Sequence, residues 1–157
     1  DKEAMEAIAL EVIDRMKDDC LYIIGPGTTT KAVTSKLGLS KTLIGVDVVF
    51  KRKLIGTDVN EKQLLELIKN HKAKIIVTPI GGQGHIFGRG NQQISPEVIK
   101  KVGRDNIMII ATPEKIHSLR GRPILVDTGN REVDEMLKGY VRVITGYREE
   151  IVYKISS

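Results

Sequence analysis

The chain has 157 residues, of which 41% are hydrophobic and 29% are charged, a composition typical of one folded domain. Its net charge of +5 favours anionic partners, and no apolar run reaches the roughly 20 residues that span a bilayer. The single cysteine, Cys20, excludes an internal disulfide and a cysteine-based metal site, and it favours a reducing, cytoplasmic setting. Aromatic residues make up only 4%, which argues against a nucleic-acid surface that stacks bases.

The first half of the chain begins with an amphipathic helix whose apolar residues recur at helical spacing. Thr28 or Thr29 is a suitable cap for the second helix, and Asn60 with Gln63 forms a capping-box pattern before the third. The predicted elements, in order, are a helix over 5–16, a strand over 21–24, a helix over 28–37, a strand over 42–50, a short strand near 54–55 and a helix from 61 to 68.

The second half alternates strands and helices more regularly. Ser95 as cap, Pro96 at the first helical position and Gly103 as stop bound one helix clearly. The predicted elements are a strand over 74–78, a long glycine-rich loop over 79–93, a helix over 96–102, a strand over 107–110, a short helix from 113, a strand over 124–126, a helix over 131–138 and a hairpin of strands near 141–144 and 151–155.

Alternating strands and helices predict an α/β fold: a three-layer, mostly parallel, Rossmann-like sheet with a C-terminal β-hairpin. Ligands of such sheets bind beyond the carboxyl ends of the strands. If the sheet is parallel throughout, four turns meet at that edge. They are residues 25–30, 81–93, 111–113 and 127–130.

The turn over residues 25–30 lies between a strand and a helix and reads Gly-Pro-Gly-Thr-Thr-Thr. Free N–H groups at a helix N-terminus bind anions, and threonine hydroxyls add donors. We therefore expect phosphate binding there, against the alternative of a well-capped helix start. The residues involved are Gly25, Gly27, Thr28, Thr29 and Thr30.

The loop over residues 79–93 contains five glycines among its fifteen residues. We expect neither helix nor strand in it, because glycine loses the most backbone entropy on ordering. Arg89 is a candidate for bidentate phosphate binding, and His85 is either an acid or base or a hydrogen-bonding residue of the loop. The other candidate ligand contacts are Gly81, Gly82, Gln83, Gly84, Asn91 and Gln92.

Two aspartates complete the candidate chemistry. Asp127 follows a predicted strand directly and could hold a metal, a ribose hydroxyl or a proton, or could instead cap the next helix. We name Asp127 and His85 as catalytic candidates and Asp127 as the metal ligand. Asp47, within the predicted strand over 42–50, is a weaker acidic candidate, because a carboxylate inside a sheet is costly without a partner.

Several segments carry a family resemblance. Residues 25–29 read Gly-Pro-Gly-Thr-Thr, residues 43–49 read Leu-Ile-Gly-Val-Asp-Val-Val, and residues 77–97 enclose the glycine-rich loop. The match continues through 105–107, 125–129 and 139–147. Together these segments resemble the C-terminal half of the ATP-NAD kinase-like family, in the branch that includes the acetoin-catabolism X proteins.

The resemblance implies phosphoryl transfer from ATP, with magnesium, to NAD or a related acceptor, giving NADP. The family's Gly-Gly-Asp-Gly element belongs to an N-terminal domain, and this chain does not contain it. We therefore expect a single domain over residues 1–157 that forms the C-terminal half of a longer two-domain protein and is catalytically incomplete by itself. No individual catalytic role carries over from the family to this half.

Two other functions stay open. The Gly-Pro-Gly-Thr-Thr turn also resembles the phosphate loop of sugar-phosphate isomerases, a reading that needs a nearby base such as Asp47, Asp127 or His85. The third possibility is a non-catalytic, ligand-sensing or oligomerisation domain. In each case the expected partner is a nucleotide or a phosphorylated small molecule, with a homo-oligomer possible and no membrane.

Overall fold

A computed structural model describes all 157 residues as one nine-stranded sheet with six α-helices. The helices are α1 (Lys2–Arg15), α2 (Thr28–Lys36), α3 (Glu61–Ile68), α4 (Pro96–Val102), α5 (Pro113–Ser118) and α6 (Arg131–Leu137). The strands are β1 (Cys20–Ile24), β2 (Asp47–Phe50), β3 (Lys53–Gly56), β4 (Lys72–Val77), β5 (His85–Phe87), β6 (Ile107–Ile110), β7 (Ile124–Val126), β8 (Gly139–Gly146) and β9 (Glu149–Ser156). None of the helices is long and apolar enough to cross a membrane.

The strand order in the sheet is β3-β2-β1-β4-β6-β8-β9-β7-β5. Five strand pairings are parallel and three are antiparallel, and β8 with β9 forms the expected hairpin. The predicted α/β fold with a mostly parallel sheet is confirmed. The hairpin also reverses the sheet: β9, β7 and β5 run opposite to β1, β4, β6 and β8.

The central strands are buried on both faces. One apolar cluster, which includes Leu21, Ile75 and Val143, packs these strands against α3, α4 and α6. A second and smaller cluster, which includes Tyr22 and Ile76, packs their other face against α1 and α2. Because successive side chains of a strand point to opposite faces, a strand covered on both sides is apolar throughout, as β1 is.

Helix caps account for most of the helix boundaries. Asn60 and Gln63 form the predicted capping box, with backbone-to-side-chain distances of 2.9 Å in both directions. Ser95 caps α4 as predicted. The cap prediction for α2 is wrong, because Gly27 and not a threonine precedes the helix; Asn130 caps α6, so the capping alternative for Asp127 does not hold. The turn before α2 needs glycine, because a Cβ at Gly27 would lie 2.9 Å from Thr78 Cγ2.

The predicted strand over 42–50 is too long at its amino end. The strand β2 begins only at Asp47, and residues 42–46 form a loop. The loop folds around the side chain of Lys41, whose Nζ donates to the carbonyls of Thr42 and Gly45, both at 2.9 Å. These local bonds replace the strand ladder that β-branched composition alone predicts.

The glycine-rich loop is not free of regular structure, contrary to expectation. His85, Ile86 and Phe87 form β5, which pairs with β7. Ile86 and Phe87 are completely buried, and burial of two large apolar side chains offsets the entropic cost of the flanking glycines. The backbones of Ile80 and His85 exchange hydrogen bonds of 2.9 and 3.0 Å, which brings β5 back to the end of β4.

A cluster of charges joins the end of α1 to the β8–β9 hairpin. Glu11, only 8% exposed, accepts from Arg15 Nε at 2.7 Å and from the Arg148 N–H at 2.6 Å. The hydrogen bond from Arg15, followed by that from Arg148, lowers the pKa of Glu11 below its usual value of 4.5. The contribution of the Glu11 carboxylate to the free energy of unfolding is therefore present above its unfolded-state pKa and is lost as the pH falls through the lowered folded-state pKa.

We expect Glu11→Gln to lose less free energy of unfolding than the unchanged protein when the pH falls from 7 to 3. The variant has no carboxylate at this position to protonate. The measurement is the urea midpoint of unfolding at both pH values, followed by circular dichroism. Glu6→Gln, on the same helix and without an ion pair, is the control and should keep the pH dependence of the unchanged protein. An equally steep loss of stability in Glu11→Gln would contradict the assignment.

Candidate functional site

The turns after β1, β4 and β6 meet around a groove of about 400 Å³. Residues 27–29 form one wall, residues 78–81 form the second, and Thr112 with Lys115 of α5 forms the third. These three strands run parallel, so their carboxyl ends lie at one edge of the sheet. Three of the four turns predicted to meet at one edge of the sheet therefore do meet there.

The N-terminus of α2 presents unsatisfied donors to the groove. The helix has no side-chain cap and no acidic residue in its first turn. The hydroxyls of Thr29 and Thr78 make no hydrogen bond within the protein, although only 9% and 6% of these residues are exposed. No enclosed side-chain oxygen lacks a hydrogen bond, so these two hydroxyls open toward the groove, and hydroxyl donors beside a helix N-terminus suit an anionic ligand.

The residues of the predicted phosphate turn do not all face the groove. Thr28 is exposed and lines the groove, together with Thr29 and Gly27. Thr30 is fully buried, and its hydroxyl donates to Gly25 O at 2.7 Å, so it holds the turn together from inside. The N–H of Gly25 continues the sheet by donating to Ile76 O.

The glycine-rich loop is fixed by side chains from elsewhere in the chain. Lys115 Nζ donates to Gly81 O at 2.8 Å. Asn91 is 2% exposed, and its amide donates to Ile86 O at 2.8 Å and accepts from the Gly88 N–H at 3.2 Å. Asn91 therefore braces the loop, while Gln83 and Gln92 are exposed and make no side-chain hydrogen bond.

A second concavity, of about 410 Å³, adjoins the groove through Ile80 and Gly81. We call it the His85 basin; its further lining residues are Gly82, Gln83, His85, Arg89 and Gly90. His85 is 6% exposed, and its ring makes no hydrogen bond within the protein. Burial, and to a lesser degree the charge of Arg89, lowers the pKa of His85, so the imidazole is neutral at pH 7.

Asp127 lies outside the groove, because β7 runs opposite to the central strands. The expected convergence of all four turns is therefore wrong for this turn. Asp127 instead reaches the glycine-rich loop through Arg89, whose Nη2 lies 3.1 Å from Asp127 Oδ2. Both side chains are more than half exposed, at 60% and 52%, and such ion pairs contribute about 0–1 kcal/mol.

The chain supplies no preformed cluster of metal-binding side chains. No group of three or more histidine, cysteine, aspartate or glutamate side chains lies within reach of one metal ion. The carboxylate of Asp127 is paired with Arg89 and has no acidic neighbour around a common point. A metal-binding role for Asp127 stays a prediction, and we derive no step through magnesium.

The second acidic candidate, Asp47, is completely enclosed. Its carboxylate accepts from the Thr42 N–H and the Asp58 N–H, both at 2.6 Å, and from Thr42 Oγ1 at 2.9 Å. Lys41 Nζ lies 3.5 Å away, and both side chains are 0% exposed. Burial lowers the pKa of Lys41, and the charge of Asp47 opposes that effect. Because the side chain is fully buried and already hydrogen-bonded, Asp47 is not accessible to a ligand.

Sequence reasoning missed part of the groove. Thr78 ends β4 directly before the glycine-rich loop, and its position after a buried strand was an available signal. Thr112 caps α5 through the Lys115 N–H at 3.1 Å while it faces the groove. Lys115 gave no signal, because its place beside Gly81 depends on how α5 packs against the loop.

A family model described as the ATP-NAD kinase C-terminal domain matches residues 17–155. The match covers every helix except α1 and all nine strands but for the last residue of β9, and it includes the three turns of the groove and the His85 basin. It identifies no branch within the family. No curated protein and no solved structure matches the chain.

Proposed function

The chain belongs to the ATP-NAD kinase C-terminal domain family, and on that premise we propose that it binds NAD in the groove and forms one wall of the cleft in which ATP phosphorylates it to NADP. The observation that carries the proposal is the groove itself. Three turns bring the free N-terminus of α2 and the unpartnered hydroxyls of Thr29 and Thr78 together. The opposite wall of the cleft belongs to an N-terminal domain of the same protein.

The pyrophosphate of a dinucleotide suits the α2 N-terminus. The first-turn N–H groups and the helix dipole attract negative charge, and α2 itself carries no acidic side chain there; the acidic residues that line the groove, Asp1 and Glu114, belong to other segments. Thr29 and Thr78 add hydroxyl donors from two sides of the groove. Phosphoryl transfer depends mostly on positioning and on neutralising charge, so a wall built from backbone donors and hydroxyls is a suitable contribution.

His85 is the better of the two candidate bases. When a hydroxyl of NAD attacks the terminal phosphorus of ATP, its proton must move to a base as ADP departs. The imidazole of His85 is neutral and has no partner in the protein, whereas the carboxylate of Asp127 is paired with Arg89. We therefore assign proton acceptance to His85 and the orientation of Arg89 to Asp127.

The sugar-phosphate isomerase alternative is less well supported. Of the three bases that could serve it, Asp47 is enclosed and Asp127 lies outside the groove, which leaves only His85 of the adjoining basin. Titration calorimetry with NAD, ATP and ribose 5-phosphate separates the two functions. We expect NAD to bind, and binding of ribose 5-phosphate alone would contradict the kinase proposal.

Two neighbouring threonines provide a matched test of the groove. We expect Thr29→Val to weaken NAD binding by about 1 kcal/mol, roughly fivefold, because a hydroxyl that meets a phosphate is lost. Its melting temperature should not change, since Thr29 makes no hydrogen bond within the protein.

Thr30→Val should do the opposite. It removes the hydroxyl bonds to Gly25 O and Gly27 O and leaves the buried Gly25 O unpaired, while Gly27 O still accepts from the Lys31 N–H; we expect a cost of about 1–3 kcal/mol in the free energy of unfolding. Calorimetry and thermal unfolding of both variants give the comparison. Unchanged NAD affinity in Thr29→Val would remove this hydroxyl from the site.

A further inference from the structure

A third concavity lies on the face of the sheet that α1 and α2 partly cover. It has a volume of about 450 Å³ and lies between the end of α1 and the strands β4, β6 and β8. Residues 104–106, directly before β6, line it, so it lies toward the amino ends of the strands, opposite the groove. It shares no lining residue with the groove or the His85 basin. We call it the Lys74 pocket; its lining includes Lys74, Arg104, Met108, Tyr140 and Arg142.

Lys74 interrupts an otherwise apolar part of this face. It lies on the same side of β4 as Ile76 and pairs in register with Tyr22 of β1, and both neighbours are buried in the smaller apolar cluster. The side chain of Lys74 is half-buried and makes no hydrogen bond or ion pair within the protein. No enclosed side-chain nitrogen lacks a partner, so its ammonium opens into the pocket. Because an unpaired charge is costly to remove from water, a bound anion would stabilise it.

Arg104 brings a second unbalanced cation to the same pocket. Its side chain is half-buried, and its Nη2 reaches only the carbonyl oxygens of Lys138 and Tyr140, at 3.5 and 3.4 Å. Its Nε and Nη1 make no hydrogen bond within the protein. Since the two carbonyl groups are neutral, they do not balance the charge of the guanidinium. Lys74 and Arg104 therefore both have donors left for a ligand.

The remaining charges of the pocket do not cancel these two. Arg15 and Arg142 also line it, and both are paired with Glu150, at 3.1 and 3.5 Å. Asp105 is exposed and is the other acidic residue of the lining. Four cationic side chains thus face two carboxylates, and the pocket as a whole favours an anion.

The same pocket has an apolar floor and an aromatic side. Met108 and Ile144 contribute apolar surface, and the side chain of Tyr140 is 69% exposed. An exposed tyrosine ring offers a flat surface on which another ring can stack. A ligand that uses the whole pocket therefore combines a strongly anionic group with an aromatic body.

We propose that the Lys74 pocket binds a phosphate monoester with an aromatic body, the phosphate on Lys74 and Arg104 and the ring against Tyr140. A phosphate monoester carries close to two negative charges and presents three acceptor oxygens. It can therefore accept from an ammonium and a guanidinium together, whereas a carboxylate brings a single charge. The pocket is separate from the groove, so this binding does not depend on the proposed function.

The test is titration calorimetry of the chain with phenyl phosphate, benzoate and inorganic phosphate, each with and without NAD. We expect phenyl phosphate to bind about tenfold more tightly than benzoate or inorganic phosphate. Its affinity should be the same when NAD is present. Absence of binding, or equal affinity for benzoate or for inorganic phosphate, would overturn the inference. Displacement of phenyl phosphate by NAD would place it in the groove and would also overturn the inference.

Variants locate the binding. Lys74→Met keeps the length of the side chain and should lower the affinity for phenyl phosphate about tenfold. Its melting temperature should not change, because Lys74 has no partner within the protein. Lys72→Met is the matched control: Lys72 lies two residues earlier in β4, is paired with Asp19 at 3.5 Å and does not line the pocket. It should keep the full affinity.

Two further variants separate the phosphate from the ring. Lys74→Arg keeps the charge and should retain most of the affinity. Tyr140→Ala removes an exposed ring without disturbing the core, and it should bring the affinity for phenyl phosphate down to that for inorganic phosphate. Unchanged affinity in both Lys74→Met and Tyr140→Ala would contradict binding in this pocket.

Discussion

Asp47→Ala is expected to lower the free energy of unfolding by about 3–5 kcal/mol, because it leaves the ammonium of Lys41 buried without its partner. The side chains of Lys41 and Asp47 are both 0% exposed. The substitution also removes the hydrogen-bond acceptor of the Thr42 and Asp58 N–H groups, each of which donates to the carboxylate at 2.6 Å. The loop before β2 depends on these bonds.

Urea unfolding followed by circular dichroism measures this loss. The control is Glu66→Ala, which breaks the exposed pair between Glu66 and Lys69 and should cost less than about 1 kcal/mol. Asp47→Ala should also weaken NAD binding, since the same loop holds the turn before α2 through the hydrogen bond from the Gly27 N–H to Leu43 O at 3.0 Å. If Asp47→Ala lost no more stability than Glu66→Ala, this would contradict the role of Asp47 in holding the loop before β2.

Gly88→Ala is expected to cost at least about 3 kcal/mol or to prevent folding, through a direct clash and backbone strain. A Cβ at this position would fall on the carbonyl group of Asp127 and lie 3.0 Å from its Cα. Gly88 also has a φ of +92°, which L side chains rarely adopt. The neighbouring strands cannot separate freely, because the Asp127 N–H donates to Phe87 O at 3.0 Å.

Two other glycines of the same loop separate the clash from the strain. Gly81 has a φ of +72° and open space at its Cβ position, so Gly81→Ala should cost only about 1–2 kcal/mol of strain. Gly82 has ordinary backbone angles and open space, so Gly82→Ala should be neutral or slightly stabilising. Thermal unfolding ranks the three variants. If Gly88→Ala were no worse than Gly81→Ala, β5 would not lie against β7 as closely as described.

Local chemistry explains what the sequence predicted well. Asn60 with Gln63, and Ser95 before Pro96, satisfy helix N–H groups within three residues along the chain, so their pattern is visible without a fold. The direction of β7, unlike these caps, is not determined by local sequence. It depends on the β8–β9 hairpin reversing the sheet, an event between distant segments, and the place of Asp127 changed with it.

The site was predictable by residue type and position along the chain, but less so by role. Thr29 and Thr30 are adjacent in sequence, and only the orientation of α2 decides which hydroxyl faces the groove and which bonds to Gly25 O. Asn91 looked like a ligand contact and instead braces the loop through Ile86 O. A polar residue in a glycine-rich loop can either contact a ligand or hold the loop together, and the packing around it decides which role it has.

The hydrogen bonds between Ile80 and His85 have a consequence for association between molecules. They bring β5, one end of the strand order, back to the end of β4, so that β3 is the strand with an open edge. That strand has four residues, and Lys51, Arg52 and Lys53 lie at its start. Short edge strands flanked by lysine resist pairing with a neighbouring chain. Three of the basic residues behind the net positive charge thus also protect the protein against edge-to-edge aggregation.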